Sequence, residues 1–333
     1  MEARKVTFGA GGTPFEEGFT VPVEVDESRF TGPPKAAPPV REPDMGWVET
    51  TLSGMTLEEK VGQLLMSSNW TELDRNIEDY HVGGAVFVGN DQRAQDIVDA
   101  VNAAQEQSDI PLWFSIDAEA GLGARVADAT IFPLIMAHGA ARDKELTREC
   151  GRITARETRA LGLHITFGPV VDVNTEPLNP IISTRAYSDN PLLVSDLARP
   201  FVQGARSEGS LCTLKHYPGH GATRGDSHSS LPLVDIPFSR LEDIHLQPYR
   251  DLIGTESVDL VMTAHVWYPQ VHPGEPWPST LSQFFNTQIL RNSYNFQGVL
   301  ISDAYNMAGL EIAVPDKAER GILGIEAGLD VIL

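Results

Sequence analysis

Residues 210–228 read SLCTLKHYPGHGATRGDSH. The first seven, SLCTLKH, form a short apolar segment of strand type. From Lys215 to His228 come three histidines, a lysine, an arginine and an aspartate, among three glycines and a proline. The stretch therefore reads as a buried strand that ends in a polar, glycine-rich loop. Loops held by a rigid scaffold are where catalytic groups tend to sit.

The same apolar run recurs on either side. Strand-like segments stand at GQLLMS (62–67), GGAVFVG (83–89), PLWFSID (111–117) and LHITFGPVVDV (163–173), and again after SLCTLKH (210–216) at DLVMTAHV (259–266), GVLISDA (298–304) and GLDVIL (328–333). Between most of them lie segments of helical period, such as DQRAQDIVDAVNAAQEQ and PLLVSDLARPFVQGARSEG. Continuous apolar strands alternating with helices predict a parallel sheet covered by helices. Eight such units predict an α/β fold of the (β/α)8 TIM-barrel type, not an open doubly wound sheet. The eighth run meets the end of the sequence, so the expectation is a barrel without its final helix, part of a longer polypeptide or covered by a partner chain.

Before the barrel, residues 1–46 read as a proline-rich extension, because TGPPKAAPPVREPD favours extended backbone over helix. The barrel domain is expected over residues 47–333. Near its start, Thr56 is followed three residues later by Glu59, the spacing of a capping box that opens a helix.

Composition narrows the function classes. The net charge is −21, and a surface this acidic repels phosphate backbones and anionic lipid, which argues against nucleic-acid and membrane partners. No apolar run approaches the ~18 to 20 residues a membrane span needs. Cys150 and Cys212 are the only cysteines; their separation indicates neither a disulfide framework nor a metal cluster. The start, MEARKVTFGAGG, lacks the apolar segment of a signal peptide, which leaves the compartment undetermined.

In a TIM barrel the active site lies at the C-terminal ends of the strands. Those ends carry Asp117 after WFSI, Asp172 and Asn174 after FGPVV, and Lys215 and His216 after CTL. His265 follows MTA and Asp303 follows VLIS. Groups this costly to bury unpaired, converging on one rim, point to a site. Individually each has a plainer reading: Asp172 an ion-pair member, Asp303 a helix cap, His265 a satisfied rim histidine, His220 a pin for its loop. A metal hydrolase with an HxH on its first strand is not supported by GQLLMSS. A Schiff-base lyase through Lys215 and a glycosidase remain open. For a glycosidase, Asp303 supplies a nucleophilic or stabilising carboxylate. The proton donor comes from DSH, where Asp226 and His228, two apart on extended chain, point the same way and Asp226 orients the imidazole.

The run KHYPGHGATRGDSH resembles the signature of glycoside hydrolase family 3, in the branch of β-N-acetylglucosaminidases of the NagZ type: K-H-[FI]-P-G-[HL]-G-x4-D-[ST]-H. Tyr217 is its one departure. The likeness extends through MTLEEKVGQLLM, FGPVVDVN, NPIISTRAYSDNP and ISDAYNMAGL, covering nearly everything from Trp47 to Leu333. The resemblance implies Asp303 as nucleophile, His228 as general acid/base and Asp226 as its partner. It implies Asp117, Arg125, Arg185, Lys215 and His216 as sugar-binding groups, with neither cofactor nor metal. The strand-3 motif, usually DxEGG with an arginine soon after, reads DAEAGLGARV here, a form similar to barrels fused to a serine β-lactamase-like domain.

What the resemblance implies is a retaining, exo-acting β-N-acetylglucosaminidase on cell-wall or chitin-type oligosaccharides. Three alternatives stand beside it. Because an imidazole does not repel an incoming anion, phosphate competes with water in a phosphorylase. A family 3 β-glucosidase usually draws its acid/base from a second domain. A non-catalytic sugar-binding barrel would lack Asp303 or His228, and both are present.

Overall fold

The structure is a computed structural model, and it describes residues 44–254 and 258–333. The expected extension over 1–46 falls, up to residue 43, outside the described residues.

Among the described residues seven parallel strands follow one another in sequence order: β1 (Met66–Ser67), β2 (Gly84–Phe87), β3 (Trp113–Ile116), β4 (Ile165–Thr166), β5 (Leu211–Tyr217), β6 (Leu260–Thr263) and β7 (Val299–Ile301). The eighth run contributes a short bridging segment. Val331 pairs with Ile301 of β7 and Ile332 pairs with Leu65 beside β1, both parallel. The Met66 N–H donates to the Ile332 carbonyl at 2.8 Å, and the Ile332 N–H to the Leu64 carbonyl at 2.8 Å. The eighth segment therefore links the two edges of the sheet, as a barrel requires.

Both faces of the strands are buried, and alternation divides their side chains between two cores. Val86, Ile165, Leu260, Met262 and Ile301 pack with Met66 and Phe167 in one apolar cluster, which draws residues from five strands and so lies inside the barrel. Their neighbours Ala85, Phe87, Phe114 and Ile116 pack outward with helix residues such as Ile97 and Val101. Cys212, Leu214, Val261 and Leu300 do the same on the opposite flank.

The helices begin where local chemistry permits. Thr56 and Glu59 form the expected capping box and open α1 (Leu57–Gly62), with the Thr56 N–H donating to Glu59 Oε2 at 2.7 Å. This helix takes Gly62 from the apolar run 62–67, a turn takes Gln63 and Leu64, and Leu65 bridges Ile332, which leaves β1 two residues. Asp143 caps α2 (Lys144–Ala160), and Asn190 with Pro191 opens α3 (Pro191–Ser207). These two helices touch backbone to backbone. A Cβ on Gly204 would fall 2.0 Å from the Arg148 carbonyl, and one on Gly151 2.2 Å from the Phe201 carbonyl. The helical run near 281–295 is wound in the wider π form over Phe284–Ser293, which the 3.6-residue period does not foretell. Among the described residues no helix is long and apolar enough to cross a membrane.

Candidate active site

A cavity of ≈ 360 Å³ opens at the C-terminal ends of the strands. Each strand position contributes: Ser68 after β1, Val88 after β2, Asp117 after β3, Phe167 after β4, His216 on β5, Met262 on β6, Asp303 after β7, and Leu333 after the closing segment. Of the eight residues singled out by sequence, seven line this cavity. The eighth, Asp226, is bound to the seventh: its Oδ1 lies 2.7 Å from His228 Nδ1 and accepts the His228 backbone N–H at 2.9 Å. His228 Nδ1 is thus engaged by the carboxylate, which leaves Nε2 as the nitrogen free for proton transfer.

Two adjacent strand residues ordinarily face opposite ways, yet Lys215 and His216 both line the cavity. The pairing of β5 with β6 shifts register between Leu214 and Tyr217. That bulge re-aims one residue: Cys212, Leu214 and Tyr217 pack outward, while Lys215 and His216 between them turn inward.

A chain of charged groups runs across the cavity wall. Lys215 Nζ lies 2.6 Å from Asp117 Oδ1 and 2.6 Å from Glu119 Oε1. Arg185 donates from Nε and Nη2 to Glu119 at 2.8 and 2.7 Å, and from Nη1 to the Ile181 carbonyl at 3.1 Å. Its Nη2 also sits 3.3 Å from His216 Nε2. His216 Nδ1 in turn lies 2.7 Å from Asp172 Oδ2. The Asp172 carboxylate accepts the His216 Nδ1 hydrogen, and Nε2 faces the Arg185 fork. The Arg185 fork, expected to clamp a ligand, is occupied by Glu119, and of its five donors one Nη1 hydrogen remains. Arg125 donates from Nε to the Asp117 carbonyl at 3.1 Å and from Nη1 to Asn90 at 2.8 Å.

Burial works against the charges of Lys215, Glu119 and Asp303, and the neighbours decide each outcome. For Lys215 burial favours the neutral amine, but Asp117 and Glu119 override it, and the pKa is raised. A lysine held as ammonium by two carboxylates is a poor Schiff-base nucleophile, and that reading loses its chemical basis. Glu119 is likewise disfavoured by burial, then held well below the usual carboxylate range by Lys215 and Arg185. Asp303 is opposed by burial but stabilised as an anion by His216, His265, the Ala304 N–H and Lys215, so its pKa is lowered. Its Oδ1 accepts that Ala304 N–H at 2.8 Å. Asp226 is also lowered: slight burial opposes ionisation, and the His228 N–H and ring outweigh it.

The remaining strand-end groups serve as supports. Asp172 is fully buried and accepts the backbone N–H of His216 and of His220 as well as the His216 ring. His265 is a satisfied rim histidine, bonded to Thr280 at 2.7 Å and to the Ala304 carbonyl at 3.0 Å. His220 pins its own loop, through Thr223 at 2.8 Å and Ser227 at 3.0 Å. Glu119 is the member the sequence reading passed over. Its signal was its position two residues after Asp117 at a strand end, on the same side of extended chain.

Comparison with known proteins places this geometry. Residues 56–333 match the profile of the glycosyl hydrolase family 3 N-terminal domain. The chain is 35% identical over 282 residues to beta-hexosaminidase A of Pseudoalteromonas piscicida, covering 79% of this chain and 47% of that protein. It superposes with a TM-score of 0.77 and 35% identity on a family 3 β-N-acetylglucosaminidase from Paenibacillus sp. str. FPU-7, covering 84% of this chain and 55% of that one. A β-glucoside phosphorylase gives a TM-score of 0.81 at 27% identity, covering 86% and 53%. The chain thus spans about half the length of these relatives. By profile, by sequence and by fold, it belongs to glycoside hydrolase family 3 and carries that family's N-terminal barrel domain.

Proposed function

We propose that this barrel houses the catalytic site of a retaining, exo-acting β-N-acetylglucosaminidase. The observation that carries the reading is one cavity lined by the anionic Asp303 and by His228, itself held by Asp226 at 2.7 Å. Retaining glycosidases need a nucleophilic carboxylate and a separate proton donor. Asp303 attacks the anomeric carbon as His228 Nε2 gives its proton to the departing oxygen, which breaks the glycosidic bond and leaves a glycosyl ester on Asp303. His228, now neutral, takes a proton from water as the water oxygen opens that ester, and the carboxylate is restored. Asp226 keeps the imidazole oriented and balances its charge when protonated. Asp117, Lys215, Arg185, Arg125 and His216 line the cavity beside this pair and are assigned to hold the sugar. Assignment of an N-acetylglucosaminyl ring rests on the likeness to the beta-hexosaminidase and the β-N-acetylglucosaminidase.

A phosphorolytic reading draws on the likeness to the β-glucoside phosphorylase. It would need an uncommitted cation for the incoming anion. In the cavity, Lys215 is shared between Asp117 and Glu119, Arg185 is spent on Glu119, and Arg125 sits 3.7 Å from Asp117. That pairing favours water over phosphate as acceptor.

The test compares an aryl β-N-acetylglucosaminide with the matching aryl β-glucoside, for wild type and Asp303→Asn. The proposal expects preference for the former and loss of turnover in the variant. Equal rates for wild type and variant would remove Asp303 as nucleophile; preference for the glucoside would remove the substrate. Product analysis with and without phosphate separates free sugar from sugar 1-phosphate.

A further inference from the structure

We propose that Ser227, the residue between Asp226 and His228, is the positioning residue that docks the acid/base loop onto the barrel, held by His220 on one side and by Gly309 on the other. The inference rests on the assignment of His228 as acid/base.

The two functional members of the loop are open to solvent, with side-chain exposures of 61% for His228 and 36% for Asp226. Among the described residues, the His228 ring makes its hydrogen bond to Asp226, a member of the same loop. An exposed pair bound to each other does not define where either stands relative to the strand ends. Ser227 does. It is 2% exposed, its Oγ lies 3.0 Å from His220 Nε2, and its carbonyl accepts the Gly309 N–H at 3.0 Å.

His220 is a rigid post for this contact. Its N–H donates to Asp172, its carbonyl accepts Asn179 Nδ2 at 2.8 Å, and its Nδ1 lies 2.8 Å from Thr223 Oγ1. The assignment that keeps the Thr223 hydroxyl on the His220 carbonyl fixes the rest. The Thr223 hydroxyl donates to the His220 carbonyl at 3.1 Å, so Thr223 Oγ1 accepts the Nδ1 hydrogen. Nε2 is then a bare acceptor, and the Ser227 hydroxyl donates to it. Burial pushes His220 down to about 4, which keeps the ring neutral near pH 7 and preserves this pattern.

Gly309 ties the loop to the segment that carries Asp303. It lies in the helix Ala308–Ala313 that follows β7. A Cβ there would fall 2.6 Å from the Ser230 carbonyl and 3.1 Å from the Ser227 carbonyl, so this approach requires glycine. One hydrogen bond thus couples the segment bearing the nucleophile to the loop bearing the proton donor. A donor must reach hydrogen-bond distance of the departing oxygen, and a misplacement of about 1 Å costs on the order of 10²-fold.

The experiment measures kcat/KM on two β-N-acetylglucosaminides, one with a dinitrophenyl leaving group that departs without protonation and one with a phenyl group that needs it. Four variants are compared: Ser227→Ala, Ser227→Thr, Gly309→Ala and His228→Ala. The expected result is a loss of roughly 10- to 100-fold on the phenyl substrate in Ser227→Ala and Gly309→Ala, with the dinitrophenyl rate near wild type and Ser227→Thr restored. Gly309→Ala probes the same contact from the other element, without touching Ser227. Equal losses on both substrates, or none on either, would overturn the docking role. If His228→Ala discriminates between the substrates and Ser227→Ala does not, Ser227 alone is displaced. If His228→Ala does not discriminate, the acid/base reading itself falls.

Discussion

Lys215 Nζ lies 2.6 Å from Glu119 Oε1, and the same oxygen accepts Arg185 Nη2 at 2.7 Å. One carboxylate therefore neutralises two cations on this wall of the cavity and sets the spacing between them. Without it, two like charges would face each other in a site closed to most solvent, where screening is weak. Positioning, not charge alone, is what Glu119 supplies.

Replacing Glu119 with glutamine keeps the shape and removes the charge. Its effect falls on substrate binding, because Lys215 and Arg185 lose their fixed geometry while Asp303 and His228 keep theirs. The account expects KM to rise roughly 10-fold or more, an energy of about 1.4 kcal/mol for each factor of ten, with kcat changed far less. Steady-state kinetics on an aryl glycoside decide it. A fall in kcat at unchanged KM would place Glu119 in the chemical step instead.

Glu119 also marks where the sequence stops being legible. Strand order and the rim were readable because buried parallel strands are unbroken apolar runs, and Asp117, Lys215 and Asp303 break those runs at their ends. Glu119 was not readable as a hub, because its partners are 66 and 96 residues away and only the closed sheet brings them together (185 − 119 and 215 − 119). The inward turn of both Lys215 and His216 depends on a register shift between β5 and β6, which no period within one strand encodes. Nor does a sequence reveal that the fork of Arg185 is already taken. His220 was the reverse case: between two glycines it read as a loop pin, and its bonds to Thr223 and Ser227 make it one.

The packing of α2 on α3 makes a stability prediction independent of the site. Gly204→Ala would drive a Cβ into the Arg148 carbonyl at 2.0 Å, and the helices must separate. Overpacking of this kind costs about 1–3 kcal/mol. Urea denaturation is expected to show a lower midpoint at unchanged slope, with kcat per folded molecule preserved. A midpoint equal to wild type would mean that the helices do not meet at this glycine.

Stability should also depend on pH through buried histidines whose pKa burial lowers, His220, His245 and His265. Burial pushes His220 and His245 each to about 4, against about 6.5 in an unfolded chain. Between those values the unfolded chain binds more protons than the folded one, so stability rises with pH and is lost as pH falls from about 6.5 toward about 4. The net charge of −21 acts in the opposite sense, since acid relieves repulsion among surface carboxylates. In about 1 M salt, where the screening length shrinks to about 3 Å, that repulsion is suppressed and the histidines remain. Thermal melts in high salt are expected to give a lower Tm at pH 5 than at pH 7. An equal or higher Tm at pH 5 would contradict the neutral, buried state of these rings.

The central claim is that Asp303, beyond β7, forms the covalent bond to the sugar. A fluorinated N-acetylglucosaminyl fluoride that forms the glycosyl-enzyme faster than water releases it would trap that bond for mass spectrometry of the digested protein. The account predicts one added sugar on the peptide containing Asp303, and none in Asp303→Asn. A sugar found on Asp117, Glu119 or any other residue, or steady turnover of the reagent with no adduct, would contradict it.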